Sequence, residues 1–220
     1  MGHGPRPDEE DSGRGPQGQD SSDKERALFR DRFRDKIAGF MMEERGMIKE
    51  VVLQAPAFVS MVLSALEVYH METFGLLLGY RGDRFYAELA IPIQTAERSL
   101  YWTRPREVRE KRIIELSEKL GLGYEILGDY HSHCKLGSSR GIAVPSNEDL
   151  ATMEEGNLYI IIAVNEARRK TRWKQLSDGS LGGTLGGYNI KIAAFTPWGN
   201  WRYRKLRVLC PVATGIGELG

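Results

Sequence analysis

The sequence predicts a mixed α/β (α+β) domain, in which helices flank a mixed sheet. Two observations support this fold class. Stretches with apolar residues at helical spacing are interleaved along the chain with stretches that alternate or run continuously apolar, as strands do. Apolar residues make up 41% of the 220 residues, which is enough for one substantial core. We therefore expect one folded domain with additional terminal segments.

The N-terminal segments differ in composition from the rest of the chain. Residues 1–24 are rich in Gly, Pro, Ser and acidic residues and have no apolar residue beyond the first position. They predict a disordered tail, because nothing there offsets the entropy lost on ordering. Residues 25–47 place Phe29, Phe33 and Ile37 at helical spacing and predict an amphipathic helix. That helix either packs on the domain or binds a partner.

Residues 48–209 have the pattern of the domain itself, and residues 210–220 are predicted to be a C-terminal tail. Residues 55–81 begin as an apolar helix and turn into a short strand. Residues 84–93 alternate between apolar and polar side chains, which is typical of a half-buried strand. Residues 103–123 include a proline suited to the first turn of a helix and a glycine that ends it.

The second half of the domain is predominantly strand. The helix just described carries Val108, Leu116 and Leu120 on one stripe, which predicts its buried face. Residues 124–131 predict a strand, and the continuous apolar run 158–164 predicts a strand buried on both faces. The remaining predicted elements are a helix at 146–154, strands at 188–195 and 200–209, and a flexible glycine-rich loop at 178–189.

Charge and cysteine content narrow the class of protein. Lys and Arg number 31 against 30 for Asp and Glu, which argues against a protein dedicated to binding nucleic acid. The basic segment 167–174 is a local exception, interpreted as a solvated hairpin face, with association with nucleic acid as the alternative. Cys134 and Cys210 form no CxxC pair, and no signal peptide is evident, so we expect a cytoplasmic protein. The apolar run 158–164 is too short to cross a bilayer, so no membrane association is expected.

Two histidines near the end of a predicted strand suggest a metal site. His131 and His133 are two residues apart and so point to the same face of the strand. A zinc site needs a third protein ligand, and Asp149 is the first candidate because the chain returns there after a loop. Asp129 is a weaker fallback on the same strand. The alternative is that Ser146 and Asp149 only form an ordinary capped helix start, and the fragments alone leave both interpretations open.

A glutamate in a second segment strengthens the metal hypothesis. Glu72 stands between an apolar helix and an apolar strand, where an unpaired carboxylate is costly to bury. A water bound to a nearby zinc ion would provide its partner. The alternative interpretation is an exposed glutamate at the end of a helix.

Taken together, these residues resemble the signature of the JAMM, or MPN-plus, zinc metalloproteases. That signature is a glutamate before a glycine-bounded strand, then His-x-His, then Ser-x-x-Asp; the matching residues are Glu72, His131, His133, Ser146 and Asp149. The resemblance covers about residues 50–205 and implies a JAMM/MPN fold, similar to that of cytidine deaminases. It also implies Zn²⁺ as the cofactor, held by the two histidines and the aspartate.

The resemblance further implies an activity. Glu72 would act as general acid/base, and the Ser146 hydroxyl would stabilise the oxyanion of a tetrahedral intermediate. The expected reaction is hydrolysis of an amide or isopeptide bond after the Gly-Gly tail of a ubiquitin-like modifier or sulfur carrier. The partner would then be a ubiquitin-like protein or its conjugate. Residues 94–104 and the loop after Ser138 are the expected rims of the substrate groove.

Two departures and two alternatives accompany this resemblance. Cys134 stands where the family usually has proline, and the connection from His133 to Ser146 is longer than usual. A small residue in a turn is the preferred interpretation of Cys134, ahead of a zinc ligand or a redox sensor. The alternative function is a non-catalytic MPN scaffold or protein-binding module. A nucleobase deaminase is disfavoured because His-x-Glu and Pro-Cys-x-x-Cys are missing.

Overall fold

The computed structural model describes residues 48–93, 97–98, 103–104, 107–134, 139–198 and 201–215. The predicted tail and amphipathic helix before residue 48 lie outside this part of the chain, as does most of the proposed groove rim at 94–104.

The described residues form eleven strands and four helices. In chain order these are β1 (Glu50–Leu53), α1 (Ala55–Glu67), β2 (Phe74–Arg81), β3 (Phe85–Pro92), β4 (Glu97–Arg98), β5 (Thr103–Arg104), α2 (Glu107–Lys119), β6 (Glu125–Cys134), α3 (Asn147–Thr152), β7 (Leu158–Glu166), β8 (Lys174–Gln175), β9 (Leu181–Leu185), β10 (Tyr188–Pro197), β11 (Tyr203–Leu209) and α4 (Pro211–Gly215).

Nine of the strands form one mixed sheet in the order β11-β1-β3-β2-β6-β7-β10-β9-β8. The pairs β1–β11, β1–β3 and β6–β7 are parallel, and the others are antiparallel. One edge of β10 is shared, because its first half pairs with β9 and its second half pairs with β11. Since β11 also pairs with β1, the sheet curls and closes on itself. The predicted mixed fold class is confirmed.

The main core lies inside this curled sheet, where α1 packs against the strands. Phe58, Met61 and Val62 of α1 are buried in one cluster with side chains from eight strands. Proline in its first turn suits the start of α1, since that position needs no N–H donor. The run 158–164 is buried along its whole length as predicted, because both faces of β7 are covered.

Two segments of the chain cover the outer face of the sheet. Helix α2 packs Ile113 and Ile114 over β2, β3 and β6. The chain from 139 to 153 packs Ala143 and Met153 over β7 and β10. The end of β6 lies between these two covers, which leaves a position on the outer face where side chains of β6 are partly accessible.

Two predictions about individual elements are wrong. The stripe of Val108, Leu116 and Leu120 is 50–73% exposed, because α2 turns Ile113 and Ile114 to the sheet instead. The glycine-rich segment 178–189 is a hairpin of β9 and the start of β10, not a flexible loop. Its glycines serve close packing, since a Cβ at Gly183 would lie 2.5 Å from the Trp173 ring.

Two further observations concern the ends and the basic segment. Part of the predicted C-terminal tail forms α4, whose Ala213 is fully buried in the main core. Trp173 of the basic segment is 5% exposed and packs edge-on against Phe58, so it is not available to stack on bases.

Among the described helices, none combines the length and apolarity needed to span a bilayer.

Candidate metal centre

The end of β6 brings two imidazoles together on the outer face of the sheet. Tyr130 and Ser132 are buried and alternate with His131 and His133 along the strand. The Nε2 atoms of the two histidines are 3.1 Å apart. A rigid, paired strand therefore holds both ring nitrogens towards one point.

Asp149 reaches the same point from the first turn of α3. Its Oδ1 is 3.2 Å from His131 Nε2, and its Oδ2 is 3.5 Å from His133 Nε2. Ser146 is the N-cap of α3: its hydroxyl oxygen accepts from the Asp149 amide at 3.1 Å, and its own amide donates to Asp149 Oδ2 at 2.7 Å. The capping box thus fixes the carboxylate that faces the histidines.

The donor set fits a metal ion of the zinc type. The three ligand atoms all lie within 4.8 Å of one another, and no other such cluster occurs in the described part of the chain. With zinc–ligand bonds of about 2.0–2.1 Å, tetrahedral geometry places ligand atoms about 3.3 Å apart. The two Nε2 atoms are 3.1 Å apart, and the carboxylate of Asp149 lies at a similar distance from each of them, with Oδ1 3.2 Å from His131 and Oδ2 3.5 Å from His133. Two imidazole nitrogens and one carboxylate oxygen leave a fourth position for water or substrate.

The electrostatics of the cluster also favour a cation. Burial opposes ionisation of Asp149, but hydrogen bonds from His131 and His133 outweigh it and hold the pKa of Asp149 below its usual range. Burial lowers the pKa of His131, yet the hydrogen bond and charge of Asp149, with Asp129 and Glu72, raise it overall. A raised pKa at a buried imidazole indicates negative potential at the site, which suits a metal ion.

Glu72 approaches the cluster from the strand beside β6. In the β2–β6 ladder Phe74 pairs with His131, and Ser132 donates its amide to the Thr73 carbonyl at 3.1 Å. Continuing this ladder by one residue brings Glu72 level with His133. Burial raises the pKa of Glu72, the two histidines oppose this, and Asp149 adds to it. The carboxyl group therefore lies within electrostatic range of all three candidate ligands.

The two other candidates from the sequence occupy distinct positions. Burial, with Glu110 and Asp149 adding and His131 opposing, raises the pKa of Asp129 to about 7. Asp129 is not part of the three-residue cluster found among the described residues. Cys134 is buried and burial raises the pKa of its thiol, which disfavours the thiolate that zinc requires.

Sequence reasoning missed three residues that support His133. The Ile142 carbonyl lies 2.8 Å from His133 Nδ1, and Asn165 makes two hydrogen bonds to the main chain of Gly141. The only signal in the sequence is a polar asparagine at the end of the apolar run 158–164. A carbonyl contact has no signal at all, because it does not depend on the side chain.

The curled mixed sheet and the composition of this site define a domain of the JAB/MPN class. The chain belongs to the prokaryotic homologs of the JAB domain: the model of that family matches residues 54–175, more than half of the chain. The matched segment contains Glu72, both histidines, Ser146 and Asp149.

One solved structure and the curated proteins complete the comparison. The chain is similar to the solution structure of protein DSY2949 from Desulfitobacterium hafniense, with a TM-score of 0.51 and 20% sequence identity. The similarity covers 73% of this chain and 92% of that chain, and at this identity it supports the fold alone. No curated protein sequence matches the chain.

Proposed function

We propose that this protein is a zinc-dependent metallopeptidase or isopeptidase that hydrolyses an amide bond. The observation that carries the proposal is the convergence of His131, His133 and Asp149, with ligand atoms 3.1–3.5 Å apart, beside the partly buried carboxyl group of Glu72. These residues supply both a metal-binding site and a group able to transfer protons. A site built only to bind a partner has no need of the second.

The three ligands have separable tasks. The two imidazoles present nitrogen atoms from a paired strand, and Asp149 brings a negative charge from a separate element. A zinc ion bound there would supply Lewis acidity, which makes water nucleophilic near neutral pH. Three protein ligands would leave the fourth position of a tetrahedral ion for water or substrate.

Glu72 is proposed as the general acid/base. Burial raises the pKa of its carboxyl group above the ordinary value, which makes the carboxylate a stronger proton acceptor. In the proposed reaction it takes a proton from the attacking water and donates it to the leaving amine. Such a group typically contributes about 10²–10⁴-fold to the rate.

Ser146 is proposed to stabilise the oxyanion. Its oxygen accepts from the Asp149 amide, so the hydroxyl proton is not used by the cap and remains available to donate. The N-cap position holds this hydroxyl at the start of α3, next to the metal ligand. Loss of an oxyanion donor typically costs about 10²–10³-fold in rate.

The proposed substrate is a ubiquitin-like protein or its conjugate, cut after a Gly-Gly tail. Membership of the JAB family supports this class, and we propose that the extended glycine tail binds on the outer face, between α2 and the chain at 139–153. Glycine has no Cβ, which lets its backbone approach a metal centre closely. A cytoplasmic location is the compatible expectation for such a partner.

The test uses the zinc-loaded protein and fusions in which a ubiquitin-like modifier is joined to a reporter through its Gly-Gly tail. We expect cleavage that is abolished by a chelator and restored by zinc. Glu72→Gln should retain zinc and lose about 10²–10⁴-fold in rate. Glu118→Gln, a substitution of the same kind at an exposed position of α2, serves as the control.

Cleavage that survives both the chelator and Glu72→Gln would contradict the mechanism. Zinc-dependent binding of the modifier without any cleavage would instead support the alternative, a non-catalytic scaffold. These two outcomes are distinguished by measuring binding and product formation on the same samples.

A further inference from the structure

We infer that Asn165 is a positioning residue for the metal centre, acting through Gly141 and Ile142 to set the orientation and tautomer of His133. The inference rests on the metal site of the proposed function. It adds a residue outside the signature that the family resemblance supplied.

Asn165 holds the main chain of Gly141 with both ends of its amide. Its Oδ1 accepts from the Gly141 amide at 2.9 Å, and its Nδ2 donates to the Gly141 carbonyl at 2.9 Å. Asn165 is only 8% exposed and lies at the end of β7, next to the end of β6. These two hydrogen bonds, called the Asn165–Gly141 clamp below, therefore connect the chain after β6 to a rigid part of the sheet.

Gly141 is also pressed directly against the histidine it supports. A Cβ at this position would lie 2.4 Å from the His133 carbonyl oxygen, and both groups are backbone, so neither has room to move aside. Glycine is required here for close approach of two main chains. Through this contact the clamp fixes the next residue, Ile142, beside the imidazole.

The Ile142 carbonyl then determines which nitrogen of His133 carries the proton. A carbonyl oxygen only accepts, so His133 Nδ1, at 2.8 Å, is the donor. In the neutral ring the lone pair is then on Nε2, the atom that faces His131 and Asp149. Outer partners of this kind typically change metal affinity by about 10–100-fold.

The clamp also bears on the long connection between the histidines and Asp149. Gly141 is fixed to β7, so only a short stretch separates it from the capping box at Ser146. The position of Asp149 is then set from this fixed point and not by the full length of the connection. This accounts for a complete ligand cluster despite a longer loop than the family resemblance implies.

The test compares Asn165→Asp and Asn165→Ser with the wild-type protein and with Asn189→Asp. Aspartate keeps the acceptor for the Gly141 amide but replaces the donor to its carbonyl with a repelling oxygen. Asn189 lies directly opposite Asn165 on β10 and is exposed, so the same substitution there adds the same charge beside Asn165 while leaving both of its hydrogen bonds to Gly141 in place. Zinc affinity is measured by competition with a chromophoric chelator, and His133 is observed by ¹⁵N NMR.

We expect zinc affinity to fall about 10–100-fold in both Asn165 variants and to stay near the wild-type value in Asn189→Asp. In wild-type protein the His133 Nδ1–H should be observed and protected from exchange. In the Asn165 variants that protection should be lost, although circular dichroism shows the fold retained. A change in stability alone does not alter the tautomer of one ring.

Wild-type zinc affinity in the Asn165 variants would overturn the inference, as would a zinc-loaded wild type in which His133 carries its proton on Nε2. The second measurement stands even if the variants fail to fold. Failure of the wild type to bind zinc at all would contradict the proposed function instead, so the two failures are distinguishable.

Discussion

Ser146 and Asp149 cap each other at the start of α3, with the Asp149 amide donating to the Ser146 hydroxyl oxygen and the Asp149 carboxylate accepting from the Ser146 amide. The same carboxylate also faces both histidines at 3.2 and 3.5 Å. Folding of one short helix therefore places a candidate metal ligand, and we expect the two proposed tasks of Asp149 to be separable by mutation.

Asp149→Asn should keep the helix-capping role of residue 149 and remove its proposed metal-binding role. The asparagine oxygen still accepts from the Ser146 amide, so the domain should fold with a loss of at most about 1 kcal/mol. The negative charge is lost, so zinc affinity should fall. The decrease should exceed the roughly 10–100-fold that is typical when a residue supporting a metal ligand is lost. Urea unfolding and chelator competition measure the two effects.

Ser146→Ala is the matched control for the cap. It removes the acceptor for the Asp149 amide and should cost about 1 kcal/mol in the free energy of unfolding. Zinc should still bind, because the carboxylate remains and the Ser146 amide still donates to it. Equal loss of zinc in the two variants would contradict the separation.

The pH dependence of hydrolysis should identify Glu72. Burial raises the pKa of this carboxyl group, so its ionised, proton-accepting form predominates only above a pH higher than the usual value of about 4.3. We expect kcat/KM to rise with pH through that raised pKa. Glu72→Gln should lack this acidic limb and fall about 10²–10⁴-fold. An unchanged acidic limb in the variant would assign the limb to another group.

Asp178 should contribute a pH-dependent increment of stability away from the metal site. It pairs with Lys191 and Lys205 at 2.7 and 2.8 Å. Burial opposes its ionisation slightly, but the hydrogen bonds from the two lysines and Ser180 lower the pKa of Asp178 overall. Because the folded-state pKa is depressed, the stabilisation is present above the unfolded pKa of about 3.9 and is lost as the pH falls below it.

Asp178→Asn should therefore reduce the free energy of unfolding at pH 7 by about 0.5–1 kcal/mol, a value discounted because the side chain is 40% exposed. The difference from wild type should shrink when urea unfolding is repeated at pH 3. A difference that is constant with pH would show that the ion pairs are not its source.

Gly128→Ala should disrupt the strand that carries the histidines. Gly128 has a φ of 149°, and a Cβ there would lie 1.9 Å from the Leu158 carbonyl oxygen of the adjoining strand. We expect a loss above about 2 kcal/mol in the free energy of unfolding. Gly186→Ala is the control, because its φ of 55° is also positive but no atom lies within 4 Å. It should cost only about 1–2 kcal/mol from backbone strain.

Strands could be predicted from the sequence where a regular pattern of neighbouring residues reports on them. The same holds for the two histidines, whose spacing along one strand is a local pattern. The run 158–164 is apolar because both faces of β7 are covered, and the spacing of His131 and His133 follows from the two-residue repeat of a strand. For Ser146 and Asp149 the sequence offered a capped helix or a ligand as alternatives. The geometry shows a capping box whose carboxylate also faces the histidines, because its two oxygens point to different partners.

The errors have a different physical origin. Val108, Leu116 and Leu120 form an apolar stripe, but the sheet decides which face of α2 is buried, and that choice is tertiary. Glycines at 182 and 183 suggested flexibility, although they allow Leu176 and Trp173 to pack closely over β9. The contacts of Asn165 with Gly141 span 24 positions in the chain and carry no local pattern.

The closure of the sheet through β11 defines the smallest unit that can be produced as an autonomous protein. Leu206 and Val208 of β11 and Ile190 and Ile192 of β10 complete the interior that α1 occupies, yet all four follow residue 175, where the family match ends. A fragment trimmed to residues 54–175 would lack β10, so one edge of β7 would be unpaired and its isoleucines would be exposed to solvent. Such a fragment should aggregate. A fragment that retains Glu50–Leu53 and runs through Ala213 keeps the closed sheet intact.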